Sequence, residues 1–324
     1  MFKRVLTPLD GSKFAEAALP LAATVAKRAN AALELVSAHD PLPPPSASGS
    51  EGAALAVPVQ ADSLGAVPVT AGEVGESLRE KRTTYLHDVA GLLRKHLTVD
   101  PEVALLEGRA DRAIMDRVTS EGADLVVMAT HGRGPMERAW LGSIADRLVR
   151  QLPVPVLLAR PVPGEDPDLS KLAVLRRVLV ALDGSALAEA VVEPAAWLAR
   201  ALDVPVMLLR AISRGMDIQS TYLPHAAAEY QKLIEADRQE ATEYLETVAG
   251  RLSELGVTVS ERVVQEGAAP RIILETADPE GGDVVAMATH GRGGLRRLVL
   301  GSVSDKVVRA ALGPVMLVRP TEET

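Results

Sequence analysis

Residues 128–143 read MATHGRGPMERAWLGS, and residues 287–302 read MATHGRGGLRRLVLGS. This duplication constrains the fold more than any other feature, because it commits two distant parts of the chain to one local structure. The copying extends further. RVLTPLDGS (4–12) matches RVLVALDGS (177–185), VALLEGRADRAI (103–114) resembles RVVQEGAAPRII (262–273), and VPVLLARP (154–161) resembles GPVMLVRP (313–320). Landmarks kept in one order in both halves mean a duplicated domain, with a period too long for a solenoid. At roughly 100–200 residues per domain, a chain of 324 residues has room for two.

Each half alternates strand and helix signals. Short β-branched runs bounded by turn residues fall at 4–9, 32–38, 103–107, 123–130 and 154–160, and again at 177–182, 205–212, 257–265, 283–289 and 314–319. Helical stretches lie between them at 13–29, 75–96, 109–120 and 143–151, then at 186–202, 226–255, 268–278 and 302–311. Pro20 and Pro194 fall inside the first helix of each half and predict a kink or an early break. Strands alternating with helices imply a mostly parallel sheet covered on both faces, with ligands at the carboxyl ends of its strands. The expected domains are residues 1–160 and 176–324, joined by a linker at 161–175. The halves differ most at 41–74, a stretch rich in Pro, Ala, Gly and Ser that reads as a flexible insertion or as a lid.

Composition removes several function classes. Aromatic residues make up 2% of the chain, too few for a stacking platform for single-stranded nucleic acid. A net charge of −8 argues against general nucleic-acid or anionic-membrane binding. The chain has no Cys, which rules out disulfides, thiolate metal sites and thiol nucleophiles. The first residues, MFKRVLTPLDGS, turn polar too early for a secretory leader, and no apolar run reaches the roughly 20 residues of a membrane span. A soluble cytoplasmic protein is expected, with no membrane or nucleic-acid partner.

The duplicated loop has a mechanical meaning. In each copy a strand ends, a Gly follows (Gly132, Gly291), and nine residues later Gly142-Ser143 or Gly301-Ser302 opens a helix. Ser143 with Asp146, and Ser302 with Asp305, have the spacing of an N-cap and its box partner. A helix start behind a Gly presents free N–H groups and partial positive charge, which suits an anion; the alternative is a capped helix with no ligand. Asp10 and Asp183 follow the first strand of each half, either as turn residues or as carboxylates facing a ribose or base. Arg133 and Arg292 either reach a phosphate or are simply solvated. The P-loop string is missing, GRGPME and GRGGLR break the dinucleotide pattern at the last Gly, and neither LGS is a nucleophile elbow. The six His form no metal-type pair.

These motifs resemble the universal stress protein family, in a tandem two-domain form, over nearly the whole chain apart from 41–74 and the linker. Nucleotide-binding members carry G-x-x-G, nine residues, then G-[ST]. Here the strings are Ala129-Thr-His-Gly132 to Gly142-Ser143 and Ala288-Thr-His-Gly291 to Gly301-Ser302. The resemblance implies an α/β fold of two tandem domains, each an open five-stranded parallel sheet with helices on both faces, Rossmann-like and of the adenine nucleotide alpha hydrolase type. It implies pairing of the domains through their fifth strands, and ATP, ADP or AMP bound in each half, with Mg²⁺ accompanying the nucleotide. Carried over by position, the first site would use Asp10, Ala38, Met128, Ala129, Gly132, Arg133, Gly142, Ser143 and Ile144. The second would use Asp183, Ala211, Met287, Ala288, Gly291, Arg292, Gly301, Ser302 and Val303. Ala38 and Ala211 are expected to follow the second strand.

The chain departs from that pattern at one point, in both copies: Ala129 and Ala288 stand where the family has its first Gly. A left-handed backbone there would cost Ala about 1–2 kcal/mol. Three functions follow. The first is an ATP-binding regulatory module of the stress response, monomeric or dimeric. The second is a nucleotide-independent interaction protein of the same fold, and the third a slow ATPase. Pro135 and Trp140 in the first loop, against Gly294 and Val299 in the second, predict that the second site binds nucleotide more readily.

Overall fold

The inner strands of the sheet are largely apolar on both faces, as strands between two helical layers must be. The computed structural model describes residues 1–40, 71–130, 142–161, 164–212, 224–290 and 300–320. The first half runs β1 (Arg4–Pro8), α1 (Lys13–Glu16), α2 (Leu19–Ala29), β2 (Ala32–His39), α3 (Ala71–Leu97), β3 (Glu102–Glu107), α4 (Ala110–Glu121), β4 (Leu125–Ala129), α5 (Ser143–Gln151) and β5 (Val156–Ala159). The second repeats the order as β6 (Arg177–Leu182), α6 (Ala186–Glu189), α7 (Val192–Leu202), β7 (Val206–Ile212), α8 (Pro224–Glu254), β8 (Val259–Glu266), α9 (Ala269–Thr276), β9 (Asp283–Ala288), α10 (Ser302–Ala310) and β10 (Val315–Val318).

Strand order in the first half is β3-β2-β1-β4-β5 and in the second β8-β7-β6-β9-β10, with parallel neighbours throughout. β5 and β10 lie antiparallel, Val315 opposite Leu158 and Leu317 opposite Val156, so one ten-stranded sheet runs through the molecule. Side chains alternate between two buried clusters. Val5, Leu35, Leu125 and Leu157 face α2, α3, α7 and α8, while Leu6, Val36, Val126 and Leu158 face α4, α5, α9 and α10. The first cluster contains residues of both halves, α2 packs on α7, and the Phe2 ring meets the Trp197 ring edge-on at 5.9 Å.

The helix expected over 13–29 is two helices. The chain breaks after Glu16, and Pro20 sits in the first turn of α2, where its missing N–H costs nothing. The second half breaks likewise after Glu189, with Pro194 near the start of α7. Residues 71–74, read from sequence as the end of the insertion, form the first turn of α3; residues 41–70 lie outside the described residues. Part of the segment expected as the linker, residues 169–175, packs on the protein. Leu169, Leu172, Ala173 and Leu175 lie against the shared core, and the Ala173 N–H donates to Thr24 Oγ1 at 2.8 Å.

Candidate functional site

The sheet order places β1 beside β4 and β6 beside β9, and α1 packs on β4 as α6 packs on β9. The turn after the first strand and the loop after the fourth therefore open at the same sheet end in each half. In the first turn Asp10 Oδ1 accepts from the Ser12 N–H at 2.9 Å and from Ser12 Oγ at 2.5 Å. Ser12 Oγ accepts from the Ala15 N–H at 3.1 Å and so caps α1. Asp183, Ser185 and Ala188 repeat these bonds at 2.9, 2.6 and 3.2 Å. Gly11 and Gly184 hold φ of 88° and 82°, which only Gly adopts without strain. Asp10 is thus a turn residue through Oδ1; its Oδ2 has no hydrogen bond among the described residues.

The helix starts differ from expectation. Gly142 and Gly301 are the N-caps, Ser143 and Ser302 are the first helical residues, and no side chain among the described residues caps either helix. The box partners are used elsewhere. Asp146 bonds Arg150 at 2.6 Å and Asp305 bonds Arg309 at 2.8 Å, one turn on. A Ser one residue inside the helix cannot reach the N–H groups it would cap from outside. Among the described residues no side chain therefore takes the first-turn N–H groups of α5 and α10, whose partial positive charge suits an anion.

In the second half this start is tied to β9. The Gly301 N–H donates to the Thr289 carbonyl at 2.9 Å, and Ser304 Oγ donates to the Ala288 carbonyl at 3.0 Å. A Cβ on Gly301 would lie 3.0 Å from the Thr289 oxygen, so the approach is close enough to favour Gly. His290 places Nδ1 3.0 Å from Thr289 Oγ1, and its buried Nε2 has no hydrogen-bond partner among the described residues. The first half has Ala145 in place of Ser304 and lacks that tie.

Met128 and Ala129 end β4, opposite Leu158 and Ala159; Met287 and Ala288 end β9, opposite Leu317 and Val318. Ala129 and Ala288 are strand residues without positive φ, so the left-handed penalty does not arise. Ala38 and Ala211 lie within β2 and β7 rather than after them, paired with Leu106 and Gln265. Ile144 is 42% exposed at the start of α5, and Val303 is half-buried at the start of α10. Gly132, Arg133, Gly291 and Arg292 lie outside the described residues, as do Pro135, Trp140, Gly294 and Val299. No group of three or more metal-type side chains occurs among the described residues.

Glu16 and Tyr85 escaped the sequence analysis. Glu16 is buried on α1, one turn beyond the Asp10 turn, bonded to Lys13 Nζ at 2.7 Å and accepting from the Tyr85 hydroxyl at 3.3 Å. Burial, then the Glu16 charge, pushes the Tyr85 hydroxyl well above its ordinary value, and the Glu16 hydrogen bond raises Lys13. Glu189 and Tyr244 occupy the same places in the second half, with the Arg210 guanidinium 5.1 Å from the Tyr244 ring centre. The repeat carried the missing signal, since both pairs recur at matching positions.

A universal stress protein family model matches residues 1–160 and 175–319. Universal stress protein Rv2005c of Mycobacterium tuberculosis is 33% identical over 202 residues, which is 62% of this chain and 63% of that protein. The chain thus spans less than two thirds of that relative's length. A Thermus aquaticus universal stress protein is 32% identical over 162 residues, 49% of this chain and all of that protein. In fold, the chain is similar to a universal stress protein from Archaeoglobus fulgidus, with TM-score 0.62 and 17% identity, covering 99% of this chain and 97% of that one. Protein PA1789 of Pseudomonas aeruginosa, described as functionally unknown, gives TM-score 0.59 at 16% identity, with 99% and 93% covered.

Proposed function

Because this chain belongs to the universal stress protein family, we propose that it is an adenine-nucleotide-binding regulatory module of the cytoplasmic stress response. The starts of α5 and α10, which no side chain among the described residues caps and which open beside the Asp10 and Asp183 turns, carry this reading. In it, ATP, ADP or AMP lies at the carboxyl end of each half-sheet. Its phosphates take the first-turn N–H groups behind Gly142 or Gly301, with Mg²⁺ accompanying the nucleotide, and Arg133 and Arg292 are the candidate phosphate-binding cations by sequence position. Asp10 offers Oδ2 to the ribose or base, and the backbone at Ala38 and Ala211 borders the adenine. Close approach at Gly301, and a buried His290 Nε2 with no hydrogen-bond partner among the described residues, favour a ligand over an idle cap. The ties from Gly301 and Ser304 to β9 favour tighter binding in the second half.

Calorimetry on nucleotide-free protein with ATP and Mg²⁺ tests this. Binding is expected, with Gly301→Val removing the tighter component and Gly142→Val the weaker. A folded chain that takes up neither ATP nor AMP would overturn the proposal and leave a nucleotide-independent interaction protein. Equal losses from the two variants would refute only the asymmetry.

A further inference from the structure

The two helices whose starts form the candidate sites are held at their far ends by the opposite half. Arg319, one residue beyond β10, donates from Nη1 to the Gln151 carbonyl at 3.0 Å, at the end of α5. Arg160, one residue beyond β5, donates from Nη1 to the Val308 carbonyl at 2.9 Å and from Nη2 to the Arg309 carbonyl at 2.7 Å, in the last turn of α10. The antiparallel contact of β5 with β10 makes this exchange reciprocal. Each last strand runs past the start of the other, and that start is where the partner half's helix ends. Arg160 and Arg319 occupy matching places in LARP and LVRP, so the bonds follow the repeat and are not a single accident of packing.

We propose that Arg160 and Arg319 are positioning residues that couple the two halves, each setting the helix that presents N–H groups to an anion in the other half. The carbonyls of a helix's last turn lack intrahelical partners and carry its negative pole, so a guanidinium bonded there fixes the helix along its axis. A nine-residue helix is about 13 Å long and moves as a rigid rod. A shift at its carboxyl end therefore appears at its amino end. The first site is set by Arg319 from the second half, and the second site by Arg160 from the first. Among the described residues Arg160 holds two carbonyls of the last turn of α10 and Arg319 one carbonyl of α5, which gives the second site the firmer support.

The coupling to ligand rests on the nucleotide reading above; the positioning of the helices does not. Two measurements separate them. Hydrogen exchange by mass spectrometry without nucleotide should show faster exchange in α5 but not α10 for Arg319→Met, and the reverse for Arg160→Met. Calorimetry with ATP and Mg²⁺ is then run with one site silenced. In Gly301→Val, adding Arg319→Met should weaken the remaining first site about two- to fivefold, and adding Arg160→Met should not. In Gly142→Val the roles should reverse. Lys at either position should restore part of the effect. Exchange that rises equally in both helices, or in neither, overturns the proposal. The crossed exchange pattern without ATP binding sustains the positioning and refutes the nucleotide reading.

Discussion

Removing Arg117 should destabilise the chain far more than removing its partner Glu34. The Glu34 carboxylate is 0% exposed in β2, bonded by Arg117 Nε at 2.8 Å and by Arg4 Nη1 at 3.4 Å. The two cations keep contact with water at 28% and 24% exposure. Each also has a second carboxylate, Glu121 at 2.9 Å from Arg117 and Glu102 at 2.8 Å from Arg4. Arg117→Met strands a buried charge on one long contact. Stranding a buried ion completely costs about 3–5 kcal/mol, and with Arg4 still present about 2–4 kcal/mol is expected. Glu34→Met leaves both cations a partner and installs a side chain that the second half already uses. Met207 is 4% exposed opposite Leu179, in the register that sets Glu34 opposite Leu6. That change should cost under about 1 kcal/mol. The double variant should lie within about 1 kcal/mol of Glu34→Met alone, because the stranded charge is gone. Urea unfolding followed by far-UV circular dichroism at neutral pH measures all three. One transition is expected, since one core cluster joins the halves. A Glu34→Met cost equal to that of Arg117→Met, or additive single losses, would refute the reasoning.

Two further outcomes follow from single residues. Thr7 Oγ1 is buried in β1 with no hydrogen-bond partner among the described residues, and Val180 holds the matching place in β6. Thr7→Val should therefore stabilise the chain by about 1–2 kcal/mol, and a loss of stability in the same urea assay would show that the hydroxyl is satisfied in solution. Asp111, at the start of α4, is held below the ordinary carboxylate range, chiefly by its bond to Arg147 on α5. A depressed folded value means this contribution is present above the unfolded value and is lost as pH falls through the folded one. Arg147→Met should cost stability at neutral pH, with a deficit that shrinks towards acid. A deficit independent of pH would remove Asp111 from the account.

Much of the fold was legible because it is written in local patterns that occur twice. The strand runs, the helix at Ser143–Gln151 and the Asp-Gly-Ser turns follow from side-chain period and turn chemistry, and the copy in each half checks the other. The cap assignment failed by one residue. Ser143 and Ser302 fit an N-cap by type, but Gly142 and Gly301 take the cap position, and at Gly301 the close approach of the chain to the Thr289 carbonyl favours Gly there. Glu34 shows the other limit. An acidic residue in a strand reads as solvent-facing, yet it is buried because Arg4 and Arg117, distant in sequence, reach it.

Two copies of one α/β unit, and the points where each copy turns from strand to helix, are readable in the amino-acid order alone. These are properties of neighbouring residues and of a repeat that needs no third dimension to be seen. The antiparallel register of β5 on β10, the core shared across both halves, and the reach of Arg160 and Arg319 to helix ends more than a hundred residues away emerge only in three dimensions. Such contacts depend on which surfaces meet when apolar edges and faces are buried together. Composition and spacing specify that those surfaces must be covered, but not by what.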